Sequence, residues 1–266
     1  MKSLRLLVDA DMLLYAVCAG SETETDWGDD LFTLHVNLSE AKAKLIDKIT
    51  YIVERTRTLL HAEEDVCYRL LCCLSDRENF RKKVSPTYKL NRTKRRKPIG
   101  YAALAAWLKA SFPTKTVCNL EADDVIGIMA THPEPSGIPI IISGDKDLKS
   151  IPGYHYNFLR DEFFFVTEKE ADRNFYTQAL TGDKTDGYDG CPGVGPKTAE
   201  RLLGDGPSWE RVVNAYKAHG LTEADALREA RLARILRYKD YDHEKGEVIL
   251  WTPPEDPSPK ANLTPS

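Results

Sequence analysis

Short apolar runs that break off at an acid set the tightest limit on how this chain folds. Leu4–Val8 runs into Asp9-Ala-Asp11, Val66–Leu74 into Ser75-Asp76, and Ile138–Ile142 into Ser143-Gly-Asp145-Lys-Asp147. Runs this short and this largely apolar suit strands buried on both faces of a sheet. Helical signals separate them. Asp11 is placed to cap a helix from Met12 to Ala19, and Ser39 to cap a long one to about Leu60 with Leu45, Ile49 and Ile52 on its apolar face. Residues 20–37 are polar and acidic and read as a loop. Pro98 opens a helix through Leu108, Thr116–Cys118 forms a short strand, and Glu121–Met129 is a helix headed by acids, which suits its positive end. Tyr154–Phe158 and Glu162–Val166 pair as strands, and Thr167 with Glu170 makes a capping box for a helix to Leu180. Strands alternating with helices give the α/β class with a mainly parallel central sheet. Beyond Asp186 the pattern turns helical over Lys197–Leu203, Ser208–Ala218 and Glu223–Lys239, with a last strand at Gly246–Trp251 and a proline-rich, disordered tail from Thr252.

The acids that end the strands fall where open parallel sheets bind ligands, outside the strands' carboxyl ends. Asp9, Asp76, Asp145 and Asp147 lie there, while Glu121, Asp123, Asp124, Asp183 and Asp186 sit at helix starts or turns. Any one of them alone is best explained as a cap or a solvated turn. Clusters converging on one edge would repel each other strongly, by roughly 4 kcal/mol per pair at ~4 Å and an effective dielectric of 20, unless divalent cations filled the space. All-oxygen donors select hard ions such as Mg²⁺ or Mn²⁺. The six histidines are scattered and the six cysteines show no C-x-x-C spacing, so a zinc site is disfavoured and the thiols read as buried in a reducing cytoplasm. No apolar run is long enough to cross a membrane, and the N-terminal run is too short for a signal peptide.

The net charge of −4 hides a sharp segregation, because Arg77–Lys97 holds ten basic residues against the single acid Glu78. Arg81, Lys82, Lys83, Arg95 and Arg96 are candidate phosphate contacts, Lys89 a cation for the scissile phosphate, and Tyr88 a stacking platform for a base. So charged a segment is expected to stay open and mobile until a phosphate backbone neutralises it. Gly193-Val-Gly-Pro-Lys-Thr198 is a glycine hairpin leading into a helix, a shape that offers backbone N–H groups of Gly193, Gly195, Lys197 and Thr198 to phosphate. It is not a P-loop, since Pro196 stands where a glycine should precede Lys197. A carboxylate two-metal site beside a basic segment points to phosphodiester hydrolysis.

In order along the chain, Val8-Asp9-Ala10, Ser75-Asp76, Tyr88-Lys-Leu-Asn-Arg92, Glu121-Ala-Asp-Asp124, Ser143-Gly-Asp-Lys-Asp147, Gly182-Asp-Lys-Thr-Asp186 and Gly193–Ala199 resemble the structure-specific 5′-nuclease superfamily, in particular the exonucleases of short-tailed phages. The resemblance runs from the N-terminus to about Trp251. It implies a nuclease core at 1–185 with an arch segment at about 77–110, a helix–three-turn–helix lobe with a closing strand at 186–251, and the tail at 252–266. It implies that Asp76, Glu121, Asp123 and Asp145, with Asp9 beside them, surround one Mg²⁺ or Mn²⁺, that Asp147, Asp183 and Asp186 serve a second, and that Asp124 is shared or stands behind them. Tyr88, Lys89 and Arg92 take the place of arch residues that meet the 5′ strand, and Gly190–Ala199 that of a hairpin gripping duplex backbone, often with a K⁺ ion. The implied activity is that of a monomeric 5′→3′ exonuclease and flap endonuclease acting on duplex DNA with free 5′ ends, nicks or flaps in the host cytoplasm, in phage DNA replication and recombination, with RNA–DNA hybrids left open. One departure is Gly187, where the family usually has Asn after the second acidic pair. Asp9-x-Asp11 also suggests a haloacid-dehalogenase-type phosphatase, but Leu13 stands where that family wants Thr or Val, and the basic run and glycine hairpin would go unused. A DNA-binding protein without activity would be expected to lack some of the acids, and all are present.

Overall fold

The computed structural model describes residues 3–60, 66–94, 96–134 and 137–254. Strand β1 (Ser3–Asp9) leads into α1 (Ala10–Ala19), the hairpin β2 (Glu22–Asp26) and β3 (Phe32–Val36), and the long α2 (Leu38–Leu59). Then come β4 (Cys67–Cys73), the short α3 (Arg81–Val84), α4 (Tyr101–Ser111), β5 (Thr114–Lys115), α5 (Ala122–Ala130), β6 (Ile138–Ile142), and the paired β7 (Gly153–Asn157) and β8 (Glu162–Val166). Helices α6 (Glu168–Thr181), α7 (Pro196–Leu203), α8 (Trp209–Ala218) and α9 (Glu223–Ala233) follow, and β9 (Tyr241–Asp242) with β10 (Glu247–Val248) closes the described chain. No helix among the described residues is long and apolar enough to cross a membrane.

The central sheet has six strands in the order β5-β4-β1-β6-β7-β8, parallel except for the β7–β8 hairpin. Strand β1 lies between β4 and β6, so the chain order reverses at its carboxyl end, where an open α/β sheet leaves a crevice. Side chains along β1 alternate between faces. Leu6 and Val8 pack with α1, α2 and α4 through Leu13, Leu45 and Leu104, whereas Leu7 packs with α5 and with Ile235 and Leu236. A separate apolar cluster joins α6 to α9 around Phe175, Trp209, Tyr216 and Trp251, and it includes Tyr88.

Local chemistry moves several boundaries away from those the sequence suggests. Asp9, not Asp11, caps α1, its Oδ1 accepting from Met12 N at 3.0 Å, and Asn37 rather than Ser39 caps α2. Residues 22–36, expected as a loop, form an antiparallel hairpin whose Trp27 is 64% exposed. The strand expected at Thr116–Cys118 lies two residues earlier, at Thr114–Lys115, and the last expected strand shortens to Glu247–Val248. Helix α9 ends at Ala233 instead of Lys239, because Leu236 N is drawn to the Asp124 carboxylate at 3.1 Å and Arg234 and Arg237 turn onto Asp240. Cys67 and Cys118 are exposed, against the expectation of buried thiols, and the other four cysteines are buried. Of the tail expected to be disordered, 255–266 lie outside the described residues.

Candidate active site

A cleft of about 320 Å³ opens at the sheet's carboxyl edge and gathers Glu121, Asp123, Asp145, Asp147, Asp183 and Asp186. Helix starts and tight turns position these acids. Glu121 is the N-cap of α5. The Asp145 Oδ1 accepts from Asp147 N at 2.8 Å, and the Asp183 Oδ1 from Thr185 N at 2.7 Å. Beneath them Asp9 is 4% exposed, with one oxygen on Met12 N and the other accepting from Ser143 Oγ at 2.8 Å.

Crowding and burial leave their mark on the acids. Burial pushes Asp9 up to about 6, with Asp11 and Asp145 adding repulsion. Burial also drives Asp123 well above the usual carboxylate range, reinforced by Asp9 and Asp145. Asp147 rises to about 6, again chiefly through burial and then through Asp145. Glu121 goes the other way: burial alone would raise it, but Lys89 and Arg81 hold it down at about 2. Asp186 stays above its ordinary value because burial outweighs Lys89 and Arg92.

The basic segment is folded down onto these acids instead of standing open. Lys89 Nζ bonds Glu121 and lies 3.4 Å from Asp186, and Arg92 bonds Asp186. The acids act here as counterions for the segment, which removes the repulsion that would have held it extended. Tyr88 is 4% exposed and its hydroxyl donates to Glu121 at 3.0 Å and Asp186 at 3.2 Å, so in this conformation it is a spacer between two acids and not a platform for a base. Gly187 explains its own presence: φ is +79°, and a Cβ there would meet the Thr87 carbonyl oxygen at 2.8 Å, so an Asn would push the segment away.

Arg81 and Asp76 stand differently from expectation, and Asp124 takes the second of its two expected places, behind the other acids. Arg81 is 2% exposed and its guanidinium is fully engaged by Asp124 and by the Leu232 and Arg234 carbonyls, which leaves nothing for a DNA phosphate. Asp124 is 0% exposed and, besides Arg81, accepts from Glu121 N and Leu236 N, so it anchors the cleft from behind and has no lone pair facing a metal. Asp76 does not line the cleft. Its carboxylate accepts from Asn119 N at 2.8 Å, and that backbone bond lowers its pKa. Lys82 is paired with Glu78 and Arg96 with Glu22, both at the surface, and Lys83 is exposed. Arg95 lies outside the described residues.

Among the described residues no three His, Cys, Asp or Glu groups already stand as a metal cage. The donor chemistry nevertheless fits a hard divalent cation. The cleft is lined by carboxylates, and Asp123 faces Asp9 and Asp145 with a repulsion that either a proton or a bound cation relieves. The glycine turn lies just beyond. Gly193 and Gly195 are exposed and a Cβ on either would meet nothing within 4 Å. Pro196 begins α7, so the Lys197 and Thr198 N–H groups fall in its first turn, where helices leave donors unpaired.

Residues 31–181 match the model of the 5′-3′ exonuclease N-terminal resolvase-like domain. The chain belongs to this family. It is accordingly a hydrolytic enzyme of the 5′→3′ exonuclease class. It is 29% identical to the exodeoxyribonuclease of Enterobacteria phage T3, over 93% of this chain and 92% of that protein. The exonuclease of Escherichia phage T7 is 28% identical, over 93% of each. In fold it resembles the bacteriophage T5 D15 flap endonuclease, crystallised with DNA and metal ions, with a TM-score of 0.61, 15% identity and coverage of 87% of this chain and 89% of that one. The family match begins after Asp9, yet β1 brings that buried acid close enough to Asp123 in the cleft to repel it.

Proposed function

We propose that this enzyme hydrolyses phosphodiester bonds of duplex DNA from free 5′ ends, with divalent metal ions held in the acidic cleft. The observation that carries the reading is the convergence of six carboxylates on one cleft whose rim supplies Lys89 and Arg92. The name of the T3 relative, an exodeoxyribonuclease that matches over nearly its whole length, supports a DNA substrate. Glu121, Asp123 and Asp145, above the buried Asp9, would hold one ion, and Asp147, Asp183 and Asp186 a second. Held there, Mg²⁺ or Mn²⁺ would supply Lewis acidity and would lower the pKa of water.

The protein's own groups do the rest. Lys89 and Arg92, now salt-bridged to Glu121 and Asp186, exchange those partners for the phosphate of an incoming strand and carry positive charge to the reacting oxygens. Tyr88 keeps the two acids apart through its hydroxyl. The open turn at Gly193–Gly195 takes the duplex backbone, a contact that positions without reading sequence.

Cleavage of 5′- and 3′-labelled duplex and flap DNA, with Mg²⁺ or with EDTA, tests the reading. Short 5′-phosphorylated products should come first from 5′ ends, activity should vanish in EDTA, and a covalently closed circle should resist until nicked. Full cutting in EDTA, or release first from 3′ ends, overturns it.

A further inference from the structure

A second cavity, larger than the acidic cleft, lies on another part of the described surface. It is a groove of about 890 Å³ between α3, α9 and the β9–β10 turn. Its charge opposes that of the chain as a whole. Lys83, Arg228, Arg231 and Lys245 line it against the single acid Glu247, in a protein with a net charge of −4. Two of these cations have no carboxylate partner among the described residues. Lys83 has none at all, and Arg231 gives only its Nε, to the Trp251 carbonyl at 3.1 Å. Arg228 and Lys245 are tied more loosely, to Asp225 and Asp242 at 3.7 Å each, with Arg228 also 3.1 Å from Glu229. Phe80, Val84, Leu227, Val248 and Leu250 supply apolar surface within the same groove.

Cations with apolar surface between them match a nucleotide chain, whose phosphates need the first and whose bases need the second. The groove's position adds to this. Asn119, on its wall, holds Asp76 through its backbone N–H, and the loop continues directly to Glu121. Arg231 precedes Leu232, whose carbonyl receives Arg81 and whose side chain lines the acidic cleft. A smaller cavity lined by Val84, Tyr188, Arg228 and Leu232 borders both spaces.

We infer that this groove is a second nucleic-acid site, which binds a short single-stranded segment through its phosphates beside the catalytic cleft. The inference rests on the nuclease reading, yet its test needs no cleavage. Cys118 lines the groove and is exposed, and Cys67 is exposed elsewhere and serves as an internal control. The full chain is alkylated with iodoacetamide in EDTA, with and without a 5′-phosphorylated hexathymidylate, and modification at each cysteine is measured by mass spectrometry. The oligonucleotide should slow Cys118 by about fivefold or more and leave Cys67 unchanged, and Lys245→Glu, at a side chain 72% exposed, should raise the concentration needed for protection by roughly tenfold, because it removes one phosphate contact and adds a repulsion. Equal Cys118 rates with and without saturating oligonucleotide overturn the inference. So does equal protection by inorganic phosphate at matched phosphate concentration, or protection unaltered by Lys245→Glu. Loss of cutting with protection intact would instead count against the catalytic reading alone.

Discussion

Arg81 and Asp124 meet through two bonds of 2.7 Å, with side chains 3% and 0% exposed. The pair ties three parts of the chain together. Arg81 begins α3, Asp124 lies in the first turn of α5 beside Glu121, and both bind backbone of 232–236, at the end of α9 and just past it. Removing one partner of a buried ion pair leaves the other charged and dry, at a cost of about 3–5 kcal/mol. Arg81→Ala and Asp124→Ala should therefore each lower stability by about that much in urea unfolding. The double variant should lose clearly less than the sum, since the two share one interaction. Additive losses would show that the pair does not act as a unit.

Asp9 gives a prediction with a definite sign in pH. Its folded pKa, about 6, is above the usual carboxylate value, so the folded state binds the proton more tightly than the unfolded chain. That contribution to stability is complete at low pH and is lost as pH rises from about 4 through 6. Asn keeps the cap on α1 while removing the charge. In EDTA, Asp9→Asn should match wild type near pH 4 and be more stable by about 1–3 kcal/mol at pH 7, from a shift of roughly two pH units. Using the difference between variants cancels His155, whose burial depresses its pKa to about 4 and gives the opposite slope in the same range. A variant less stable than wild type at pH 7 without metal would contradict the assigned strain.

How far the sequence revealed this site follows from how local each signal is. The strands before Asp9, Asp145 and Asp147 were legible because a run of apolar residues ending at an acid is a local pattern. Asp76 shared that pattern, but the loop after β5 folds back and takes its carboxylate, a contact 43 residues away that no spacing encodes. Arg81 looked like its basic neighbours for the same reason, since its partner is also 43 residues on. The hairpin at 22–36 was hidden because Glu22-Thr-Glu-Thr alternates without any apolar face. The end of α9 was hidden because Ala233-Arg-Ile-Leu-Arg keeps helical composition, and only the pull of Asp124 and Asp240 draws the chain out.

Lys89 is bonded to Glu121 in the absence of substrate, so its substitution separates charge on the phosphate from charge on the acid. Lys89→Ala frees Glu121 from its nearest cation and should raise its pKa from about 2, though Arg81 remains at 3.4 Å. At pH 7 and above Glu121 stays ionised either way. A single-turnover rate about 10²–10³-fold lower, similar at pH 7 and pH 8.5, with duplex affinity changed much less, is expected of a group that acts mainly in the transition state. A loss confined to affinity would make Lys89 a binding residue only.

The glycines divide into those the fold needs and those it does not, and that division predicts where DNA approaches. Gly182 and Gly190 back onto each other, each with positive φ; a Cβ on Gly190 would lie 2.3 Å from Gly182 N, and one on Gly182 would lie 2.3 Å from the Asp189 carbonyl carbon and 2.5 Å from Gly190 N. Ala at either position should destabilise the protein. Gly195 has φ −91° and ψ 178°, a conformation open to any residue, and nothing lies within 4 Å of where its Cβ would be. The fold asks for glycine there only through the modest preference of a helix N-cap for glycine over alanine, whereas a phosphate backbone settling on the turn asks for it more strongly, because a methyl group would hold it away from the N–H groups of α7. Gly195→Ala should leave the unfolding midpoint nearly unchanged and lower duplex affinity by a similar factor for every sequence tested. Gly195→Val should deepen that loss without further cost to stability. If Gly195→Ala unfolds as easily as Gly190→Ala, or binds duplex like wild type, the turn at Gly193–Pro196 is not where the duplex backbone rests.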